Sequence, residues 1–248
     1  SRIYSSPNEG QKTRIKKEAV ADFFNQRAEK ISILGSVQAV IYQDKQPELA
    51  ASRNIAEKKR LLPLLQLNGK QRVLDVGCGT GRWASDLLPI SAWYHGIDSC
   101  EGLILHAQER FSTAAHARFT TIGADCFSLE ALAEVQPFDR VLCAGVLIYL
   151  NDEEIETALQ CMASTLAPDG LILFREPFGI EKRLTIHEHY SYDMDQTYNA
   201  IYRTRSELEL MLKKITPEFR LIGSGDVYDE STLNNRNDTK QQWLLMEK

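Results

Sequence analysis

The sequence predicts an α/β chain built on a doubly wound, mostly parallel seven-stranded sheet that closes with a terminal antiparallel hairpin. Three observations predict it. Short apolar runs alternate with helix-patterned segments between residues 72 and 174. A glycine-rich loop joins the first of these runs directly to a helix. Two later strand-like runs, 219–227 and 242–246, flank a dense turn signal, Asn234-Asn235-Arg236-Asn237-Asp238.

Each element follows from its local pattern. Residues 1–13 contain Ser, Pro, Asn and Gly and read as a loose lead-in. Across 14–30 the apolar positions Ile15, Ala19, Val20, Phe23 and Phe24 recur at helical spacing. A second helix follows Pro47, with Leu49, Ile55, Leu61, Leu62 and Leu65 on its inward face and Asn68-Gly69 as its stop. Residues 1–68 therefore form an expected N-terminal helical cover, and 69–248 the sheet domain. Strands are expected at 72–76, 93–97, 118–122, 140–144 and 171–174, with helices between them at 83–88, 102–110, 129–135 and 153–166. Asn151 with Glu154 three positions later predicts a capping box for the last of these helices. After Pro177 the alternation lapses into a Tyr- and His-rich segment, 178–204, before a helix at 205–214.

Composition sets bounds. The chain has 248 residues, 43% hydrophobic and 25% charged, enough to bury a core without cross-links. A net charge of −5 offers a polyanion no overall attraction, so nucleic acid is disfavoured as a partner. Five scattered cysteines without a Cys-x-x-Cys pair argue against a disulfide framework or a structural zinc site and fit reduced thiols in the cytoplasm. No membrane segment is expected: the purest apolar run, 141–150, is half the length needed to cross a bilayer. Residues 1–17 are polar and contain no apolar signal core.

The most informative segment is Val73-Leu74-Asp75-Val76-Gly77-Cys78-Gly79-Thr80-Gly81-Arg82-Trp83. Glycine belongs where a tight turn lets a ligand approach bare backbone, and the following helix start supplies free amide donors. A dinucleotide fingerprint would put its third glycine at position 82, which is Arg82. The third glycine arrives one residue earlier, at Gly81.

This G-x-G-x-G stretch resembles the first motif of the class I S-adenosylmethionine-dependent methyltransferases, and four further segments are similar to theirs in order. They are His95-Gly96-Ile97-Asp98, Gly123-Ala124-Asp125-Cys126, Phe138-Asp139-Arg140-Val141-Leu142-Cys143 and Leu166-Ala167-Pro168-Asp169-Gly170-Leu171-Ile172-Leu173. The five cover about 100 residues, from 72 to 176. The resemblance implies S-adenosyl-L-methionine as cofactor. Asp98 and its neighbour Ser99 would meet the ribose hydroxyls, and Asp125 and Cys126 the adenine. Asp75, Gly77, Cys78, Gly79, Gly81 and Cys143 would line the methionine part, and Arg53, in the cover with Tyr42 and Glu57, its carboxylate.

The same resemblance places the acceptor above 145–150 and 175–176, beneath the cover and the 178–204 insertion after the fifth strand. His187 and His189 are the expected base candidates, because histidine titrates near neutral pH. Tyr149 is a third, where small-molecule relatives often carry a histidine. Glu176, Tyr198, Tyr202 and Arg203 are expected acceptor contacts. The H-x-H pair lacks a further clustered ligand, so no metal is expected.

Elimination narrows the acceptor. Cys143-Ala144-Gly145-Val146 replaces the Asn/Asp-Pro-Pro-Tyr/Phe motif of amino-directed DNA methyltransferases. The paired-glutamate loop of protein arginine methyltransferases is not evident, and Asp139 and Asp152 are poorly spaced for a catechol-type magnesium site. A small-molecule acceptor, methylated on oxygen, nitrogen or carbon, remains. An RNA-modifying enzyme using basic residues of the first 60 positions, or a non-catalytic cofactor-binding module, are the alternatives.

Overall fold

The computed structural model describes residues 1–6, 8–229, 231–234 and 236–248. Its first half runs β1 (Arg2–Ser5), α1 (Lys17–Glu29), α2 (Ile31–Leu34), α3 (Gln38–Ile41), α4 (Pro47–Leu61), β2 (Arg72–Val76), α5 (Ala84–Leu87), β3 (Trp93–Asp98), α6 (Glu101–Arg110) and β4 (Ala117–Thr121). Its second half runs β5 (Phe138–Ala144), α7 (Asp152–Thr165), β6 (Leu166–Gly179), β7 (Arg183–Ser191), β8 (Gln196–Tyr202), α8 (Arg205–Ile215), β9 (Arg220–Asp226) and β10 (Thr239–Glu247).

The main sheet has the order β4-β3-β2-β5-β6-β10-β9. Strands β2 to β6 are parallel, whereas β10 runs antiparallel to both β6 and β9. The expected seven-stranded sheet with a terminal hairpin is what forms. Asn235, inside the turn signal between β9 and β10, lies outside the described residues.

Alternation along the strands sorts the core into two layers. Leu74, Val76, Val141 and Ile172 pack on one face against Ile155, Leu159 and Met162 of α7 and Leu208 and Leu212 of α8. Val73, Leu142, Leu171 and Leu173 pack on the other against Leu61 of α4, Leu87 of α5 and Ile104 and Ala107 of α6. Strand order reverses between β2 and β5, so the carboxyl ends of these strands diverge into the crevice where doubly wound sheets bind ligands. Among the described residues no helix is long and apolar enough to cross a membrane.

Four local expectations need correction. Residues 1–13 contain a strand: β1 pairs antiparallel with β7, Ile3 opposite Thr185, through backbone hydrogen bonds that polar composition does not reveal. Segment 178–204 is a β7–β8 hairpin that completes a second sheet, β1-β7-β8. Residues 129–135 form turns instead of a helix. There Ala133 takes φ +53° and Glu134 turns its carboxylate to Trp93 Nε1 and His95 Nδ1, at 2.8 and 2.9 Å. Ile55, expected to face inward, is exposed, because α4 turns its Ala50, Glu57 and Leu61 face to the body of the molecule.

Capping follows the sequence more closely. Glu154 Oε1 accepts from the Asn151 backbone N at 3.3 Å at the start of α7. The Asn151 side chain also clamps the chain ahead of α1, accepting from Ile15 N and donating to Ile15 O.

The cover is pinned by Arg27, which is fully buried. Its guanidinium donates to Ala39 O and Gln38 O in α3, to both oxygens of Asp44 and to Gln196 Oε1 of β8. One side chain thereby ties α1, α3 and the second sheet into one roof. Five charge-assisted hydrogen bonds, two of them to the Asp44 carboxylate, satisfy a group whose burial would otherwise be costly.

Candidate active site

Between this roof and the carboxyl ends of the parallel strands lies a cavity of about 710 Å³. Its floor follows the strand ends in order: Asp125 after β4, Asp98 and Ser99 at β3, Gly77 and Gly79 after β2, Gly145 after β5 and Arg175 near the end of β6. Its volume lies in the range of ordinary small-molecule and cofactor sites.

The glycine loop is shaped by close approach. Gly77 has φ +70°, and a side chain there would collide with Val146. Gly79 has φ +55°, and a Cβ would sit 3.1 Å from Val40 of the roof. The bare backbone is therefore required by geometry on both sides. The Asp98 carboxylate reinforces the loop: Gly79 N donates to Oδ2 at 3.0 Å and Cys100 N to Oδ1 at 2.9 Å. Burial raises the Asp98 pKa, against the opposing pull of these two amides.

Asp75 lines the cavity beneath the loop and accepts from Tyr94 Oη at 2.5 Å. Burial pushes its pKa up to about 7, only partly offset by the Tyr94 hydrogen bond. At the β4 side, Lys17 of α1 reaches down to within 3.5 Å of Asp125 Oδ2. A cationic group from the roof thus meets an acidic floor residue, a contact the sequence did not single out.

The opposite wall is aromatic. Tyr198 and Tyr202 lie on the same face of β8, as a spacing of four requires, and Tyr149 stands at the end of the turn after β5. The Tyr149 and Tyr198 hydroxyls are 3.0 Å apart, and Tyr202 Oη donates to Tyr198 Oη at 3.3 Å. Phe24 packs edge-on against Tyr149 at 4.9 Å between centroids. Burial raises the pKa of Tyr149, Tyr198 and Tyr202, and brings Tyr42 up to about 12. These phenols are neutral at physiological pH and act as hydrogen-bonding groups, not as ready proton acceptors.

A buried ion cluster spans the floor and the roof. Glu57 of α4 accepts from Arg82 Nη1 at 2.8 Å and from Arg175 Nε at 2.6 Å. Although burial opposes ionisation, the two arginines hold the Glu57 pKa down to about 2. Arg53, one helical turn before Glu57, donates from Nε to Leu233 O.

Most residues expected at the site are gathered here. Asp75, Gly77, Cys78, Gly79, Asp98, Ser99, Asp125, Cys126 and Arg53 line the cavity, as do Tyr149, Tyr198 and Tyr202. Six others are placed elsewhere. Gly81 backs onto Phe111 and donates to Cys78 O, closing the loop from outside. Cys143 is fully buried in the core layer beneath. Glu176 Oε1 accepts from Val146 N and Leu147 N at 2.9 and 2.7 Å, holding the Tyr149 turn from behind. Arg203 donates to Leu147 O, Leu150 O and Asp152, bracing the same turn. His187 is half-buried and His189 exposed on β7, and neither lines the cavity. A register shift between Ile186 and His189, with Glu188 at φ +45°, sets their directions.

Arg82, Lys17 and Arg236 also line the cavity and were not among the expected site residues, and Arg175 lines it within the 175–176 stretch expected near the acceptor. Arg82 carried a signal, since it immediately follows the glycine loop. Arg175 and Arg236 depend on a sheet order that brings β6 beside β10.

Residues 73–170 match the methyltransferase domain family. Phosphoethanolamine N-methyltransferase 1 of Zea mays is 30% identical over 128 residues, covering 51% of this chain and 25% of that protein. The ubiquinone biosynthesis O-methyltransferase of Albidiferax ferrireducens is 33% identical over 106 residues, covering 42% of this chain and 40% of that protein. In structure, the chain is similar to Haemonchus contortus phosphoethanolamine N-methyltransferase 1, solved with phosphoethanolamine and S-adenosylhomocysteine. The TM-score is 0.70 at 20% identity, over 94% of this chain and half of that one. The chain thus spans about a quarter of the maize enzyme and half of the nematode chain, and the structural likeness concerns the fold.

Proposed function

We propose that this chain, whose residues 73–170 match a methyltransferase domain family, transfers a methyl group from S-adenosyl-L-methionine to a small-molecule acceptor. The observation that carries the reading is the single cavity that joins Asp98, Asp125 and the positive-φ glycines to the tyrosine wall. Residues 69–248 act as the catalytic body, 1–68 as its cover, and 178–204 as the sheet that closes over the acceptor.

The donor set suits the cofactor. Asp98, already fixed by two backbone amides, presents a carboxylate for the ribose hydroxyls, and Asp125 lies one strand further along for the adenine amine. Gly77 and Gly79 leave the space that a Cβ would fill, and Asp75 stands beneath them for the methionine ammonium. When bound, the sulfonium supplies an activated methyl group for in-line displacement.

The chain's own contribution is alignment and exclusion of water. Tyr149 and Tyr198 hold the acceptor's heteroatom by hydrogen bonds, while Phe24 and Ile148 supply apolar walls. Glu176 and Arg203 keep the Tyr149 turn in place. Such positioning accounts for as much as ~7–11 kcal/mol of barrier in well-oriented reactions. The acceptor oxygen, nitrogen or carbon faces neutral phenols, so its reactive form is recognised more than generated at this wall.

The test is transfer from methyl-labelled S-adenosyl-L-methionine to separated small-molecule and RNA fractions of a cell extract. Label in a small molecule, lost in Asp98→Ala, supports the reading. Label in RNA alone, or none in any fraction, contradicts it.

A further inference from the structure

The tyrosine wall is rich in hydrogen-bond acceptors. Tyr149, Tyr198 and Tyr202 line the cavity with their hydroxyls in one chain, at 3.0 and 3.3 Å. Each hydroxyl has one proton to donate and two lone pairs to accept with. Two of the three protons are used inside the chain, so open lone pairs outnumber the remaining donor. Tyr42 brings a fourth phenol against the Tyr149 hydroxyl. A ligand group that donates hydrogen bonds is therefore favoured at this wall.

The rings add a second preference. Phe24 meets Tyr149 at 4.9 Å and 88°, and Tyr149 meets Tyr198 at 6.1 Å and 83°. Phe24 also lies 6.4 Å from Tyr42 at 60°. Such steep angles turn the faces of neighbouring rings in different directions around one corner of the cavity. An aromatic face carries negative potential and attracts a cation within about 6 Å of its centre. Arg27 already takes one face of Tyr42 from within the roof, 5.1 Å from the centroid, which leaves Phe24, Tyr149 and Tyr198 to the cavity.

The groups that could remove a proton are engaged or lie elsewhere. Among the described lining residues there is no histidine, and burial keeps the phenols neutral. Asp75 accepts from Tyr94, Asp98 from two backbone amides and Glu57 from two arginines. Asp125 and Glu154 face Lys17, while Glu101 and Asp193 are exposed. A hydroxyl or carbon acceptor must give up a proton to react, whereas an amine in its neutral form already presents a lone pair. The geometry points to an amine subsite, in which Phe24, Tyr149 and Tyr198 hold the acceptor nitrogen that receives the methyl group. This rests on the proposed function and deepens it, since it selects nitrogen among the possible acceptor atoms. The hydroxyl oxygens accept from the N–H groups of the amine and aim its lone pair. That lone pair forms the N–C bond as the C–S bond breaks, and the electron pair of the broken bond stays on sulfur. The positive charge passes to nitrogen, beside the ring faces, and a proton that the nitrogen still carries then leaves to water.

Two measurements test the subsite. The first is calorimetric titration of the S-adenosylhomocysteine-saturated protein with tetramethylammonium chloride and, separately, with tert-butanol as a neutral probe of similar size, at constant ionic strength. Saturable millimolar binding of tetramethylammonium is expected, with tert-butanol about tenfold weaker or more. Phe24→Leu and Tyr149→Leu should each weaken the cation about threefold or more, while Tyr149→Phe, which keeps the ring, should stay within about twofold. Absence of saturable binding, equal binding of the two probes, or no loss in either leucine variant overturns the subsite. The second measurement transfers a carbon-13 methyl group from S-adenosyl-L-methionine to the small-molecule fraction of a cell extract and reads the product by NMR. An N-methyl carbon is expected, and an O-methyl or C-methyl product overturns the subsite. Failure of S-adenosylhomocysteine to bind the unaltered protein, or no labelled product at all, is a different result and overturns the functional reading beneath this one.

Discussion

The Tyr149 and Tyr198 hydroxyls meet at 3.0 Å across the cavity, one from the turn after β5 and the other from the second sheet. The contact joins the parallel-sheet body to the β7–β8 hairpin. Tyr149→Phe removes one hydrogen-bonding group from the acceptor wall and leaves the ring packing on Phe24. Turnover should fall about tenfold, the worth of one hydrogen bond of ~1.4 kcal/mol in the transition state, with cofactor affinity unchanged. Steady-state kinetics beside cofactor titration check this; unchanged turnover would remove Tyr149 from the acceptor wall.

Asp98→Ala removes the carboxylate assigned to the ribose and frees Gly79 N and Cys100 N. Cofactor affinity should fall at least tenfold, that is by about 1.4 kcal/mol or more. Titration calorimetry reads it directly, and an affinity within twofold of the unaltered protein contradicts the assignment.

Glu57→Gln leaves Arg82 and Arg175 buried around a neutral amide. Breaking a buried ion pair from one side costs about 3–5 kcal/mol, and a domain of this size should melt roughly 6–20 °C lower. Glu57 has a folded pKa of about 2 against an ordinary 4.5, so its contribution is fully present above about pH 4.5 and is lost as pH falls toward 2. The stability difference between the two proteins should therefore shrink over that acid range; a constant difference would rule out the charge as its origin.

Glu176 behaves in the opposite sense. Burial lifts its pKa to about 7, and its Oε2 is buried without a hydrogen-bond partner among the described residues. The folded state holds this proton more tightly than the unfolded one, so stability from it is full below about pH 4.5 and is lost as pH rises through 7. Glu176→Gln keeps an oxygen for Val146 N and Leu147 N and removes the titration. Its melting temperature should decline less between pH 4.5 and 7.5 than that of the unaltered protein, and parallel profiles would contradict the shift.

The parallel core and the glycine-loop side of the cavity were legible because local pattern carries them. A strand, a run of glycines and an acidic strand end are adjacent in sequence, as Asp75, Gly77, Gly79 and Asp98 show. The acceptor side was less so. His187 and His189 looked chemically apt, but strand direction and the bulge near Glu188 carry them away from the lining. Tyr198 and Tyr202, four apart, share one face because their segment is strand β8, which its Tyr- and His-rich composition does not reveal. Arg82 and Arg175 come together through Glu57, a long-range relation that no local window contains. The β1 strand was hidden for the same reason, since its partner lies about 180 residues away.

The proposed function requires the cavity to hold an adenosyl cofactor. Thermal unfolding of the purified protein with S-adenosyl-L-methionine, S-adenosylhomocysteine and NAD in parallel tests it most directly. A ligand at 100 times its dissociation constant adds ~2.7 kcal/mol, or roughly 5–10 °C for a domain of this size. That shift is expected with the two adenosyl ligands and none with NAD. No shift with either adenosyl ligand, or a shift with NAD alone, would contradict it.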